Sequence, residues 1–228
     1  AIYETGVRIP SICFSGHRRY PLGSNDPVLE EKSLELMKKC IELAQDLGVR
    51  TIQLAGYDVY YEKKSTQTRQ RFIKNLRKAC DWAEEAQVVL AIEIMDDPFI
   101  NSIEKYLAVE KEIDSPYLFV YPDIGNVSAW HNDVYSEFYL GHHAIAALHL
   151  KDTYAVTESS KGQFRYVPFG QGCVKWEEAF DILKQTNYNG PFLIEMWSEN
   201  CETVEETRAA IQEAQSFLYP LIKKAGLM

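Results

Sequence analysis

Alternation of strand-like and helix-like segments is the feature of this sequence that most restricts its fold. Short apolar segments recur along the chain, and segments with helical spacing of apolar residues lie between them. The predicted strands are Arg8–Ser15, Arg50–Gly56, Val88–Met95, Tyr117–Ile124, Ala144–Lys151 and Pro191–Trp197. The predicted helices are Pro27–Gly48, Gln67–Ala86, Ser102–Ile113, Asp133–Leu140, Trp176–Thr186 and Val204–Lys224. This order predicts an α/β fold built on parallel strands.

Two parallel architectures fit this order. A (β/α)8 barrel needs eight βα units, whereas this sequence of 228 residues predicts six, so an open doubly wound sheet is the alternative. The first residues, Ala1–Gly6, read as the end of a helix closed by Gly6. We therefore expect a barrel whose first two βα units are absent from this chain. No low-complexity linker interrupts the pattern, which predicts a single, N-terminally incomplete domain over residues 1–228.

Composition and charge limit the partners. The net charge is −9, which argues against a nucleic-acid partner because such proteins usually carry a basic face. No apolar run is long enough to cross a bilayer. The five cysteines are odd in number and form no Cys-x-x-Cys pair, which favours reduced thiols over disulfides or a zinc–thiolate site. We expect a cytoplasmic protein that acts on a small molecule.

Four side chains able to bind a metal lie near the carboxyl ends of four predicted strands: Glu93, Asp123, His149 and Glu195. In barrels, this end of the strands carries the active site. Strand side chains alternate between two faces, and three of the four residues continue an inward-facing row. A charge inside an apolar strand is costly unless it is paired or bound to metal. The set predicts one divalent ion, and its mixed oxygen and nitrogen donors suit Zn²⁺, Mn²⁺, Co²⁺ or Mg²⁺.

Further polar residues are candidates for binding an anionic substrate. Lys151 continues the row of His149 and is a candidate cation. The Gly170–Gly172 turn precedes a helix, where backbone N–H groups can bind phosphate. His17, Arg18 and Arg19 follow the first predicted strand, where they could meet a phosphate or form a solvated basic turn.

Several joined motifs point to a family. The segments AIEIMD, YPDIGN, ALHLKDT, VPFGQG and FLIEMWSE resemble those of the L-ribulose-5-phosphate 3-epimerases of bacterial ascorbate utilisation, also described as L-xylulose-5-phosphate 3-epimerases. These belong to the xylose isomerase-like TIM barrels. The resemblance covers essentially the whole chain, including HRRYPLGS at residues 17–24 and IQLAGYDVYY at residues 52–61. It also implies that the first two βα units of the family are missing here.

The resemblance implies a chemistry and roles for the candidate residues. It implies a metal-dependent inversion of C3 in a ketopentose 5-phosphate, within pentose and ascorbate catabolism. Glu93 and Glu195 would be the two bases, whereas Asp123 and His149 would be ligands only. Asn126 stands where related epimerases place a substrate-contacting His, so this contact is altered. The partner would be a sugar phosphate, and a homodimer is compatible with this interpretation.

Other functions remain open at this level. A hexulose-6-phosphate aldose–ketose isomerase would use the same metal and carboxylates to move hydrogen between C1 and C2. A DNA-repair endonuclease of the same superfamily would need more histidines at strand ends than this chain offers. A non-catalytic barrel that binds sugar would not need all four ligand types.

Overall fold

The computed structural model describes residues 2–228, which form two compact units. The first unit comprises the described residues up to Ile100 together with Lys105–Tyr121. The second comprises Asn101–Glu104 and Pro122–Met228. The single domain over residues 1–228 therefore stays a prediction.

A parallel four-stranded sheet forms the centre of the first unit. Its strands lie in chain order: β1 (Ile12–Cys13), β2 (Thr51–Ala55), β3 (Val89–Glu93) and β4 (Leu118–Tyr121). In this register Glu93 lies beside Ala55 on one neighbouring strand and beside Tyr121 on the other. Strands β2 to β4 are largely buried, as expected for parallel strands covered by helices.

The helices of the first unit begin and end at residues suited to those positions. They are α1 (Ile2–Thr5), α2 (Pro27–Leu47), α3 (Thr66–Ala86) and α4 (Ile103–Ile113), the last of which begins within the second unit. Asp26 caps α2 by accepting from the Val28 N–H, and Gly48 ends the helix with a left-handed φ of 68°. Ser65 opens α3 with a capping box.

The second unit holds one parallel strand pair and one hairpin. Strand β5 (Leu148–Leu150) pairs with β8 (Phe192–Ile194), and β6 (Asp152–Tyr154) pairs antiparallel with β7 (Gln163–Val167). Four helices accompany them: α5 (Ile124–Ala129), α6 (Val134–Gly141), α7 (Trp176–Gln185) and α8 (Val204–Ala225).

Most of the sequence-based elements are confirmed, with shorter strands. The predicted helices agree with the structure to within two residues at each end, and α1 ends at Thr5, directly before Gly6 with its left-handed φ of 68°, as expected. Two predictions were wrong. The predicted strand Tyr117–Ile124 ends early, because Asp123 caps the unpredicted helix α5. The long polar loop after β5 contains the hairpin β6–β7, whose exposed residues gave no apolar signal.

None of the helices within residues 2–228 is long and apolar enough to cross a membrane. All five cysteines are free thiols, as the sequence predicted.

Candidate active site

The second unit brings three of the predicted ligands together beside its parallel strand pair, β5 and β8. Asp123 lies at the start of α5, and its Oδ1 accepts a hydrogen bond of 2.8 Å from the Asn126 N–H. His149 is the central residue of β5 and forms a parallel bridge with Asp123. Glu195 follows β8, and its N–H donates to the Leu150 carbonyl. Backbone pairing thus places the three side chains at one edge of this unit.

These three side chains can share one cation. Their potential ligand atoms lie within 4.8 Å of one another. His149 Nδ1 is 3.9 Å from Asp123 Oδ2 and 3.9 Å from Glu195 Oε2. The Asp123 carboxylate is fully buried and that of Glu195 is 24% exposed, so their close approach is unfavourable without a neutralising charge.

Lys151 supplies that charge in this structure. Its Nζ lies 2.8 Å from Asp123 Oδ2 and 2.9 Å from Glu195 Oε2. Burial alone would raise the pKa of Glu195, but the Lys151 ammonium and the nearby His149 outweigh burial and lower it to about 2. Glu195 is therefore an ionised carboxylate at neutral pH.

Glu93, the fourth predicted ligand, belongs to the first unit. It is the last residue of β3 and is 6% exposed. The Gln53 side-chain amide on β2 donates a short hydrogen bond to Glu93 Oε2. Sequence reasoning missed Gln53, although a glutamine within an otherwise apolar parallel strand was a usable signal. An amide donor at this place fixes the orientation of the carboxylate.

A cavity of about 400 Å³ adjoins Lys151 and Glu195 within the second unit. The size suits a small ligand, and aromatic side chains form much of its wall: Tyr166, Phe169, Trp197 and Phe217. The Trp197 ring has two cations over it, with Lys151 Nζ at 5.4 Å and the Arg165 guanidinium at 5.1 Å from its centroid.

The sequence analysis did not predict that the hairpin β6–β7 contributes to the wall of this cavity. Tyr166 has a left-handed backbone with φ of 59°, which is rare for a bulky residue. Its hydroxyl donates to Glu199 at 3.0 Å, and its ring contacts Trp197 at 5.8 Å. Strain of this kind concentrates at functional sites.

The Gly170–Gly172 turn differs from the prediction. The N–H groups of Gly170 and Gly172 donate to Asp152 Oδ2 at 2.8 Å and 3.2 Å. The buried Asp152 carboxylate already fills the position predicted for a phosphate. Gly172 is required there, because a Cβ would lie 2.0 Å from Asp152 Oδ1.

The remaining candidates lie in three environments. Asn126 is buried in α5, directly beside Asp123. His17 is 2% exposed and packs against Phe14, and burial lowers its pKa to about 3, so its role in phosphate binding stays a prediction. Arg18 lies over the Tyr60 ring at 4.8 Å, whereas Arg19 is exposed.

Comparisons with known proteins first define the class. Residues 1–221 match the family described as Xylose isomerase-like TIM barrel, so the barrel prediction is confirmed and the open-sheet alternative is set aside. The solved structure of an L-ribulose 3-epimerase superposes with a TM-score of 0.78 over 98% of this chain and 78% of that chain. At 18% identity this likeness supports the fold alone.

Closer relatives then define the family within that class. The chain is 51% identical to SgbU of Haemophilus influenzae over 100% of its length and 79% of that protein. It is 49% identical to the L-ribulose-5-phosphate 3-epimerase UlaE of Escherichia coli O157:H7, over 100% of this chain and 77% of that protein. The chain therefore belongs to the L-ribulose-5-phosphate 3-epimerase family of the xylose isomerase-like TIM barrels, and it is an isomerase.

Proposed function

We propose that this chain inverts C3 of a ketopentose 5-phosphate, interconverting L-ribulose 5-phosphate and L-xylulose 5-phosphate, in pentose and ascorbate catabolism. One observation carries the proposal: Asp123, His149 and Glu195 converge at strand ends, with ligand atoms within 4.8 Å of one another. The identity of about half with UlaE, whose name states this activity, supports the choice of substrate.

The donor set fits one divalent ion. Two carboxylates and one imidazole, close together and largely buried, are hard ligands of the kind that Zn²⁺, Mn²⁺, Co²⁺ and Mg²⁺ accept. We propose Glu93 as the fourth ligand, since it ends β3 with its carboxylate held by Gln53. When bound, such an ion would stabilise the negative charge of the enediolate.

Two glutamates would perform the proton transfers. Inversion at C3 requires one base to remove the proton and a second group to return a proton on the opposite face. Glu195 borders the cavity and is ionised at neutral pH, which is the protonation state that a general base requires. Glu93 is the second base in this proposal, and the Gln53 amide keeps its carboxylate in one orientation.

The cavity beside Lys151 would hold the substrate. Asn126 and Lys151 are proposed as substrate contacts near the reacting carbons, because both lie beside Asp123. Arg165 is proposed as a cation for the phosphate group. Among residues 2–228 its guanidinium forms no salt bridge, and it lies 5.1 Å from the ring centroid of Trp197, which lines the cavity.

Phosphate binding at the Gly170–Gly172 turn now requires displacement of Asp152 from both N–H groups. Arg18 and Arg19 belong to the first unit, and neither lines the cavity of about 400 Å³. We therefore place them, with His17, below Arg165 as candidates for phosphate recognition.

Replacing Arg165 by Gln should raise KM for the phosphorylated ketose roughly tenfold or more, because a charge-assisted contact contributes about 1.5–3 kcal/mol. KM for the unphosphorylated ketose should change little. Steady-state kinetics on both sugars measure the difference. Lys161→Gln is the matched control, since Lys161 is an exposed cation of the same hairpin region. Equal changes for both sugars would remove Arg165 from phosphate recognition.

The proposed function is tested by incubating L-xylulose 5-phosphate with the protein and Mn²⁺ in D₂O. The expected NMR result is deuterium at C3 together with the C3 epimer. An aldose product, with deuterium at its C2 or, after a direct shift of hydrogen from C1 to C2, with no deuterium, would instead assign an aldose–ketose isomerase. Binding of the sugar phosphate without any exchange would assign a non-catalytic sugar-binding barrel.

A further inference from the structure

Lys151 occupies the same carboxylate oxygens that the proposed metal ion needs. Its Nζ bridges Asp123 Oδ2 and Glu195 Oε2, and each of these oxygens is 3.9 Å from His149 Nδ1. The Lys151 side chain is only 7% exposed, so its charge is scarcely screened by water.

We propose that Lys151 is an internal substitute for the metal ion, which holds the site together in the metal-free protein and is displaced when the ion binds. This inference rests on the metal site of the proposed function. Without a cation, the buried Asp123 carboxylate would face that of Glu195 at a large electrostatic cost. The ammonium removes this cost and keeps both carboxylates at the spacing a metal requires.

The same contacts oppose metal binding. A divalent ion bound to Asp123 and Glu195 would lie close to an ammonium that contacts the same oxygens, and like charges repel strongly in a buried site. Lys151 must therefore exchange at least one of its two carboxylate contacts for another partner. Its flexible four-carbon stem permits that movement.

The cavity wall offers the displaced ammonium a second position. Lys151 itself lines the cavity, and the face of Trp197 lies 5.4 Å from its Nζ. Moving toward Trp197 would shift the ammonium away from the carboxylates and into the substrate cavity once the ion has bound. Lys151 would then couple the two events, so that an anionic substrate binds better to the metal-loaded protein.

The test compares Mn²⁺ binding to the wild type and to Lys151→Met by titration calorimetry, without substrate. The variant should bind Mn²⁺ roughly tenfold or more tightly, because it loses the competing cation. In EDTA its melting temperature should be roughly 5 °C or more below that of the wild type, because the buried Asp123 and the half-buried Glu195 carboxylates lose their partner. Added Mn²⁺ should recover most of that loss. Lys175→Met is the control, since Lys175 forms only an exposed pair with Glu178 at 3.2 Å and should alter neither quantity.

Unchanged or weaker Mn²⁺ binding by Lys151→Met would overturn the inference. If the variant does not fold, a crystal structure of the wild type with Mn²⁺ decides instead. Nζ retained within hydrogen-bond distance of both Asp123 and Glu195 would refute displacement, whereas loss of either contact supports it. Failure of the proposed function is a separate outcome. A wild type that binds Mn²⁺ but does not epimerise the sugar phosphate still allows its Mn²⁺ binding to be compared with that of Lys151→Met. A wild type that binds no divalent ion refutes both.

Discussion

Replacing Glu195 by Gln is expected to lower the rate of epimerisation roughly 10²–10⁴-fold, the usual contribution of a general acid or base. Glutamine keeps an oxygen that can bind the metal, but it cannot accept a proton at neutral pH. The measurement is the NMR rate of conversion of L-ribulose 5-phosphate, with the metal content of each preparation determined alongside. Glu178→Gln changes an exposed glutamate on α7 and should retain full activity.

Glu93→Gln should lower the rate of epimerisation by the same order of magnitude as Glu195→Gln. The two variants should differ in the half-reaction that they retain. If the two carboxylates act from opposite faces, each single variant should exchange the C3 proton of only one epimer with D₂O. The exchange should require metal, because the enediolate charge is otherwise unstabilised. A variant that keeps its metal and epimerises at the normal rate would show that its glutamate is not a base. If a variant lacks metal as prepared, the assay is repeated with excess Mn²⁺.

The candidate site illustrates what a sequence pattern can predict. Side-chain alternation along β5 put His149 and Lys151 on one face, and the structure brings both to Asp123 and Glu195. That inference needed only the period of a strand and the cost of burying a charge. The pattern could not reveal that Lys151 would form ion pairs with Asp123 and Glu195, because the contact with Glu195 depends on the register between strands β5 and β8.

The missed residues share a different cause. Arg165 and Tyr166 lie on β7, in which only Val167 is buried, so no apolar periodicity marked this segment as a strand. Gln53 was missed because its role arises from the neighbouring strand, where Glu93 lies. The turn at Gly170 was correctly located before α7, but its donors are satisfied by a carboxylate from a separate strand. Contacts between distant parts of the chain decide such details.

Replacing Asp152 by Ala is expected to lower the free energy of unfolding by about 3 kcal/mol or more, because each buried donor left unsatisfied costs about 1–3 kcal/mol. The carboxylate is 1% exposed. It accepts from the backbone N–H groups of Thr153, Gly170, Gly172 and Val174 and from the Trp176 indole, at 2.8–3.4 Å. Urea unfolding measures the change. Asp181→Ala, on the exposed side of α7, should alter stability by less than about 0.5 kcal/mol.

The same variant also decides the role of the Gly170–Gly172 turn. Without the Asp152 carboxylate, its N–H groups would face an empty position that an anion could fill. If the turn can recognise phosphate, inorganic phosphate should raise the melting temperature of Asp152→Ala more than that of the wild type, by mass action on the folded state. Equal shifts in the two proteins would leave the turn a structural element fixed by Asp152. Phosphate recognition would then rest on cations such as Arg165. A loss of stability below about 1 kcal/mol would mean that water satisfies these donors, and the anchoring role of Asp152 would be refuted.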